Sequence, residues 1–320
     1  MKGFRWFRWL MVLVLMYMLG TVGYYFVPWS IRRSVHKSFP KLNRTLTRTG
    51  FRIAEEWDGL GLWGRDCATL LNGCGEGEHV CGGYPLQGVR FFDRIKVLEN
   101  ESHVVGYSES MKAPLWVAYR VFDVPHLEAG RRPSFRMDYR TEAKVSPRDY
   151  RGTGYDRGHM APNHAIATRY GVVGQRETFL MSNIIPQVPG VNRYIWKDLE
   201  MRVSRSYGRY LGEVWVITGP VFTKPVERLG SGVAVPAGYY KIIADEDGDE
   251  LRVMAFLVKR GIPPYTRIKS QLVSVDKLEE LTGLNFFPDL SGEMQADLES
   301  RPAGRLWPWL LPAIQYSLNQ

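Results

Sequence analysis

Cysteine is scarce in this chain of 320 residues: only Cys67, Cys74 and Cys81 are present. Three cysteines exclude a disulfide-dense scaffold. Their C-x6-C-x6-C spacing is not that of a standard zinc finger. Gly73, Gly75, Gly77, Gly82 and Gly83 surround them, so the segment reads as a loop. One local disulfide with a spare thiol is the favoured reading. Unpaired thiols, or a metal site using the nearby His79, are the alternatives. Acidic residues are missing from residues 1–50, which hold nine of the 42 cations and leave 33 against 33 acids beyond. The sequence pI of 9.4 therefore reports on the N-terminus and does not indicate a DNA-binding domain. Internal repeats and low-complexity tracts are absent, which excludes a solenoid or a tail-like chain. Aromatics are not lacking: 17 Tyr, 14 Phe and 10 Trp supply a packed core and argue against disorder.

Charge is also missing from Leu10 to Val27, LMVLVLMYMLGTVGYYFV. Trp9 and Trp29 bracket this run, and Lys2, Arg5 and Arg8 precede it. The pattern predicts an uncleaved N-terminal transmembrane helix, with membrane contact through residues 10–27. A cleaved signal peptide competes with it, but no A-x-A-like site follows the run. Arg32, Arg33, Lys37, Lys41, Arg44 and Arg48 follow the span, so cations alone favour keeping the remainder inside.

The expected domains are an anchor at residues 1–29, a linker and Gly/Cys loop at 30–88, and a globular domain at 89–320. VRFFDRIKVLEN, HVVGYSES and APLWVAYRVFDV are strand-like; in the last, Trp116, Ala118 and Arg120 alternate with Val117, Tyr119 and Val121. Residues 129–153 form a basic connection carrying Arg131, Arg132, Arg136, Arg140, Lys144, Arg148 and Arg151. TFLMSNIIPQ predicts a short strand. Ile195, Leu199, Val203 and Tyr207 recur at helical spacing, and Gly208 or Gly212 can end that helix. EVWVITGPVF predicts an apolar strand. YYKIIADEDGDELRVMAFLV predicts a hairpin with Asp-Gly at its turn. Ser274 and Gly283 cap a further helix. Helices and hairpins mixed in this way give an α+β class.

The chemistry lies in GYDRGHMAPN, residues 154–163. Taken alone, His159 could be a base, a metal ligand or a core histidine. Phosphodiester hydrolysis needs a proton acceptor, and histidine is mostly neutral at pH 7. It also needs developing oxygen charge to be stabilised, which a divalent cation does. Mg²⁺ takes oxygen ligands and needs few protein anchors. Asn192 can present an oxygen to such a cation, and Glu200 lies eight residues on. In a regular α-helix that offset is about 80°, so both can face one side. Glu200 can hold a water. Arg157 is a natural phosphate fork. Asn183 is a candidate polar group near the scissile phosphate. In bland readings Asn192 is an N-cap, Glu200 pairs with Arg193 or Lys197, and His164 is structural or on the surface.

YDRGHMAPN at 155–163, FLMSNIIPQVPGVNRYIWKDLE at 179–200 and VWVITGPVF at 214–222 resemble the DNA/RNA non-specific endonucleases, the group that includes endonuclease G. LWVAYRV, VPAGYYKII and LEELTGLNFFPDL are looser matches in the same order. The resemblance implies a ββα-metal (His-Me finger) core on antiparallel sheet with flanking helices. It implies His159 as general base, Asn192 as the direct Mg²⁺ ligand, Glu200 as a ligand through water, and Arg157 and Asn183 at the phosphate. Mn²⁺ is a candidate substitute, and no small-molecule cofactor is expected. DNA and RNA are the expected substrates, cut to 5′-phosphate and 3′-hydroxyl ends. Family members are often dimers, but no interface is marked here. The family commonly has an arginine one turn after the glutamate; here that position is Ser204, between Val203 and Arg205.

An indiscriminate nuclease facing the cytoplasm would endanger its own cell. This, with the expected disulfide, outweighs the charge count. The expectation is a membrane-anchored enzyme with an extracytoplasmic domain: periplasmic, cell-surface or, in a eukaryote, in the mitochondrial intermembrane space. A membrane-bound nucleic-acid receptor with weak activity, and a phosphodiesterase of small or lipid-linked phosphates, are the other readings.

Overall fold

The computed structural model describes residues 2–25, 42, 46, 79–88, 94–123, 130–247 and 250–307. The chain forms two compact units: residues 1–73 with 123–126, and residues 74–122 with 127–320. Cys67, Cys74 and the linker apart from residues 42 and 46 lie outside the described residues. Cys81 is disulfide-bonded, in keeping with the favoured reading of the loop.

The first unit contains helix α1, Lys2–Tyr25. No helix among the described residues is long and apolar enough to cross a membrane. The expected transmembrane helix is therefore not supported among these residues. Lys2, Arg5 and Arg8 occupy its opening turns. Phe26 and Val27, the end of the expected span, lie outside the described residues.

The second unit is built on a seven-stranded antiparallel sheet. Its strands are β2 (Lys96–Glu99), β3 (Val104–Ser108), β4 (Ala113–Phe122), β7 (Glu213–Val221), β8 (Gly238–Asp247), β9 (Glu250–Lys259) and β10 (Leu272–Val273). They lie in the order β10-β9-β8-β7-β4-β3-β2. β1 (Leu86–Gln87) pairs with β11 (Leu284–Asn285), and β5 (Asp156–His159) pairs with β6 (Ile184–Gln187). The expected hairpin is β8–β9, which closes with Asp247 opposite Glu250.

Both faces of the large sheet are covered, so its central strands are buried throughout instead of alternating with solvent. Val117, Tyr119 and Val121 of β4 enter one core, while Trp116 and Ala118 enter the other. The first core is closed by helix α2 (Asn163–Thr178) and by a composite helix α3. α3 runs as Val191–Trp196 in π geometry, Lys197–Arg202 in α, Val203–Tyr207 in π and Gly208–Leu211 in α. Ile195, Leu199, Val203 and Tyr207 are all buried in it, as their spacing predicts. Gly212, at φ +90°, ends the helix. The second core takes Val275 and Leu278 from helix α4 (Val275–Thr282). The Ser274 hydroxyl accepts the Lys277 amide at 3.2 Å, and Gly283 is left-handed, so both expected caps hold. Helix α5 (Gly292–Glu299) follows.

Two helices were not legible in advance. α2 is interrupted by Gly171 at φ +71°, which breaks its apolar period. α5 has few apolar residues to give one. The expected strand across TFLMSNIIPQ is shorter than its pattern suggests: Met181–Asn183 is a 3₁₀ turn, and β6 begins at Ile184.

β5 and β6 meet closely at Gly158. A Cβ added there would lie 2.6 Å from the Gln187 Cβ. We expect Gly158→Ala to cost about 1–3 kcal/mol, as overpacking does, measured by denaturant unfolding. An unchanged midpoint would show that the two strands need no glycine to approach.

Candidate active site

The strand that carries the DRGH residues is fixed from behind by Asn183. Its Nδ2 donates to the Ala161 carbonyl at 3.0 Å and the Thr178 carbonyl at 2.9 Å; its Oδ1 accepts from the Ala161 amide at 2.8 Å. Asn183 is fully buried. Both polar atoms of this side chain, expected near the phosphate, bond backbone groups instead. Ser182 donates to Asp138 at 2.6 Å, and Arg140 clamps the same carboxylate at 2.7 Å. Arg140 thus belongs to the scaffold and is not a free cation of the basic stretch.

His159 projects from β5 between two aromatic rings. Its centroid lies 4.9 Å from Phe179, edge to face, and 5.3 Å from Phe135. Its Nε2 is buried without a hydrogen-bond partner. A ring held on carbon faces with Nε2 unpartnered keeps that nitrogen's lone pair unused. Burial pushes its pKa down to about 3, and the Arg132 charge adds to the effect. Each aromatic also carries a cation: Arg157 lies over Phe135 at 4.6 Å, and Arg132 over Phe179 at 5.5 Å. Both guanidinium-bearing residues are exposed. Phe135, Phe179 and Arg132 were not singled out for this role by sequence. Phe135 sits in a Pro- and Arg-punctuated connection, where no periodicity marks it.

Asn192 stands in the first π turn of α3. Its Nδ2 donates to Asp156 Oδ2 at 2.9 Å, and Arg193 binds both oxygens of the same carboxylate at 2.8 and 2.9 Å. Burial pushes the Asp156 carboxyl up, but the hydrogen bonds from Arg193 and Asn192 prevail and hold it below the usual range. Asp156 thereby ties Asn192 to the strand of His159. It also fixes the amide so that Oδ1 is the atom left over. The N-cap position belongs to Gly190. The π turn means that the expected regular α-helical offset between Asn192 and Glu200 does not apply. An amide oxygen, with a carboxylate further along the same helix, is an all-oxygen donor set and fits a hard divalent cation.

Glu200 has a neighbour that sequence reasoning missed. Lys241 of β8 is fully buried; its ammonium lies 4.6 Å from the Trp196 ring and donates to the Tyr119 hydroxyl at 3.2 Å. Burial pushes Glu200 up to about 7 and Lys241 down to about 8, and each charge resists the other's neutralisation. In YYKII this lysine reads as an ordinary outward position of a hairpin. Ser204 is buried, and its carbonyl accepts from the Arg169 guanidinium. Arg202 pairs with Asp198 at 3.4 Å, while Arg205 is exposed. His164 is exposed on α2.

The mixed fold, with its central antiparallel sheet and this strand–strand–helix site, matches the endonuclease G-like ββα-metal nucleases. A profile of the DNA/RNA non-specific endonucleases matches residues 87–293, and the chain belongs to that family. It is 31% identical over 207 residues to mitochondrial Endonuclease G of Homo sapiens, covering 59% of this chain and 69% of that protein. It is 32% identical over 225 residues to the Nuclease of a Nostoc species, covering 65% and 79%. A chain of the crystal structure of the EndoG/EndoGI complex, which concerns the mechanism of EndoG inhibition, superimposes with a TM-score of 0.58. It is 30% identical and covers 67% of this chain and 91% of that one.

Two outcomes follow from these charges. Burial disfavours the imidazolium, so His159 should stay neutral well below pH 6.5. Its ring resonances, followed by NMR, should titrate with a midpoint under about pH 5; a midpoint near 6.5 would mean that the ring is solvated. Lys241→Met should leave Glu200 without its counter-charge and cost about 2–4 kcal/mol, discounted for the partial exposure of Glu200. A change under about 0.5 kcal/mol in denaturant unfolding would show that the two are not paired.

Proposed function

We propose that this chain is a metal-dependent endonuclease that hydrolyses phosphodiester bonds of DNA and RNA with little sequence preference. The observation that carries the reading is the partnerless Nε2 of His159, on the strand that Asp156 joins to Asn192. The family supports it, as do relatives named Endonuclease G and Nuclease.

A water hydrogen-bonded to Nε2 gives up its proton to His159. Its oxygen forms a bond to phosphorus, and the bond from phosphorus to the 3′ oxygen breaks. The 3′ oxygen leaves as an alkoxide and takes a proton from solvent water, while His159 returns its proton to solvent, so the products carry 5′-phosphate and 3′-hydroxyl ends. Arg132 and Arg157 bind the phosphate oxygens as charge-assisted forks. Asn192 would hold Mg²⁺ through Oδ1, with Mn²⁺ as a substitute; the cation supplies Lewis-acid stabilisation of developing oxygen charge. Glu200 orders water beside Asn192, and Lys241 holds Glu200. Asn183 does not touch substrate; it positions β5. The reaction requires nothing from helix α1.

Contacts of this kind grip the sugar-phosphate backbone and carry no base information. Plasmid nicking should require Mg²⁺ and fall about 10²–10⁴-fold in His159→Ala. Arg132→Ala and Arg157→Ala should each weaken binding on every sequence alike and lower the salt dependence. Cleavage that survives the loss of His159 would remove the proposed base.

A further inference from the structure

On the other side of the sheet from His159, the C-terminal helices bring three acids together. Asp276 and Glu279 lie on α4, and Glu299 is the last residue of α5. One carboxylate oxygen from each lies within 4.8 Å of the others. Glu299 is only 4% exposed, and its Oε1 has no hydrogen-bond partner. The neighbouring lysine, Lys277, is engaged elsewhere, bonded to Glu280 at 2.7 Å. Glu279 accepts the Phe286 amide at 2.7 Å, which aims its carboxylate without neutralising it.

This arrangement is costly as it stands. Like charges this close repel. A carboxylate at a helix C-terminus also opposes the helix dipole, and α5 has no basic residue in its last turn to offset it. With nothing bound, burial and the charge of Glu279 push Glu299 up to about 8. A proton relieves only part of the strain; a cation would relieve all of it.

We propose that Asp276, Glu279 and Glu299 form a second, structural site for a hard divalent cation, best suited to Ca²⁺, that joins α4 to α5. The donors are all oxygen. Three oxygens within 4.8 Å of one another can all reach one cation at the Ca²⁺–oxygen distance of about 2.3–2.6 Å. Asp276 is exposed, leaving room for waters to complete the shell. Glu299 lies beyond residue 293, where the match to the family model ends.

The test uses the full chain stripped of metal, with Ca²⁺ titrated by calorimetry and the thermal midpoint read in parallel. Wild type should take up Ca²⁺ and melt several degrees higher. Glu299→Gln keeps the volume and mimics the protonated acid. Asp276→Asn changes an exposed position. Each should weaken uptake by about tenfold or more and abolish the thermal shift. Asn192→Ala should retain both. Absence of Ca²⁺ uptake would overturn the proposal. So would uptake undiminished in Glu299→Gln and Asp276→Asn, or uptake lost in Asn192→Ala alone. No outcome depends on cleavage, so failure here leaves the nuclease reading standing.

Discussion

Everything at the site depends on one buried amide. Asn183 satisfies both backbone groups of Ala161 and the carbonyl of Thr178. Removing it would strand three backbone groups away from water, each at a cost of about 1–3 kcal/mol. Those bonds fix the chain directly after His159 and the end of α2. They also set where β6 starts, and therefore the register that puts His159 opposite Ile184 and Gly158 opposite Ile185. Because the strands are only four residues long, they could not hold that register through pairing alone. Seen this way, the SN pair is as much a part of the motif as DRGH, although it does no chemistry.

A second constraint is the burial of charge. Lys241 has no access to water, yet it faces the rings of Trp196 and Tyr119 and the carboxylate of Glu200. The cation is solvated by π faces and by one hydroxyl. This ties α3, which carries Asn192 and Glu200, to the centre of the sheet. It also explains why a helix with two π segments survives: the wide turns are held by packing and electrostatics, at a place where regular hydrogen bonding would aim Asn192 elsewhere.

What could be read from sequence, and what could not, follows from these constraints. His159, Asn192 and Glu200 could be nominated together because their chemistry and spacing occur in order, and the fold ties the strand of His159 to Asn192 through Asp156. The α4 caps and the β8–β9 hairpin were legible because local backbone chemistry decides them. Lys241 was not, because its meaning comes from partners on β4 and α3, far away in the chain. Asn183 bonds backbone here, and nothing in the letters separates an amide that faces substrate from one that faces backbone. The span expected from the uncharged run at residues 10–27 is not supported among the described residues, which stop before its end.

The aromatic support of His159 joins recognition to chemistry. Phe135 and Phe179 hold the imidazole, and the same two rings carry Arg157 and Arg132. On the proposed function, a phosphate gripped by those guanidinium groups would be registered against Nε2 by rigid rings and not by flexible side chains alone. Positioning of this kind accounts for much of a phosphoryl-transfer barrier. It also bears on selectivity. A fork stacked on an aromatic has its donors in the ring plane's margin, where a backbone phosphate can reach them. None of this geometry consults a base edge, so indifference to sequence is built into the support that orients the base.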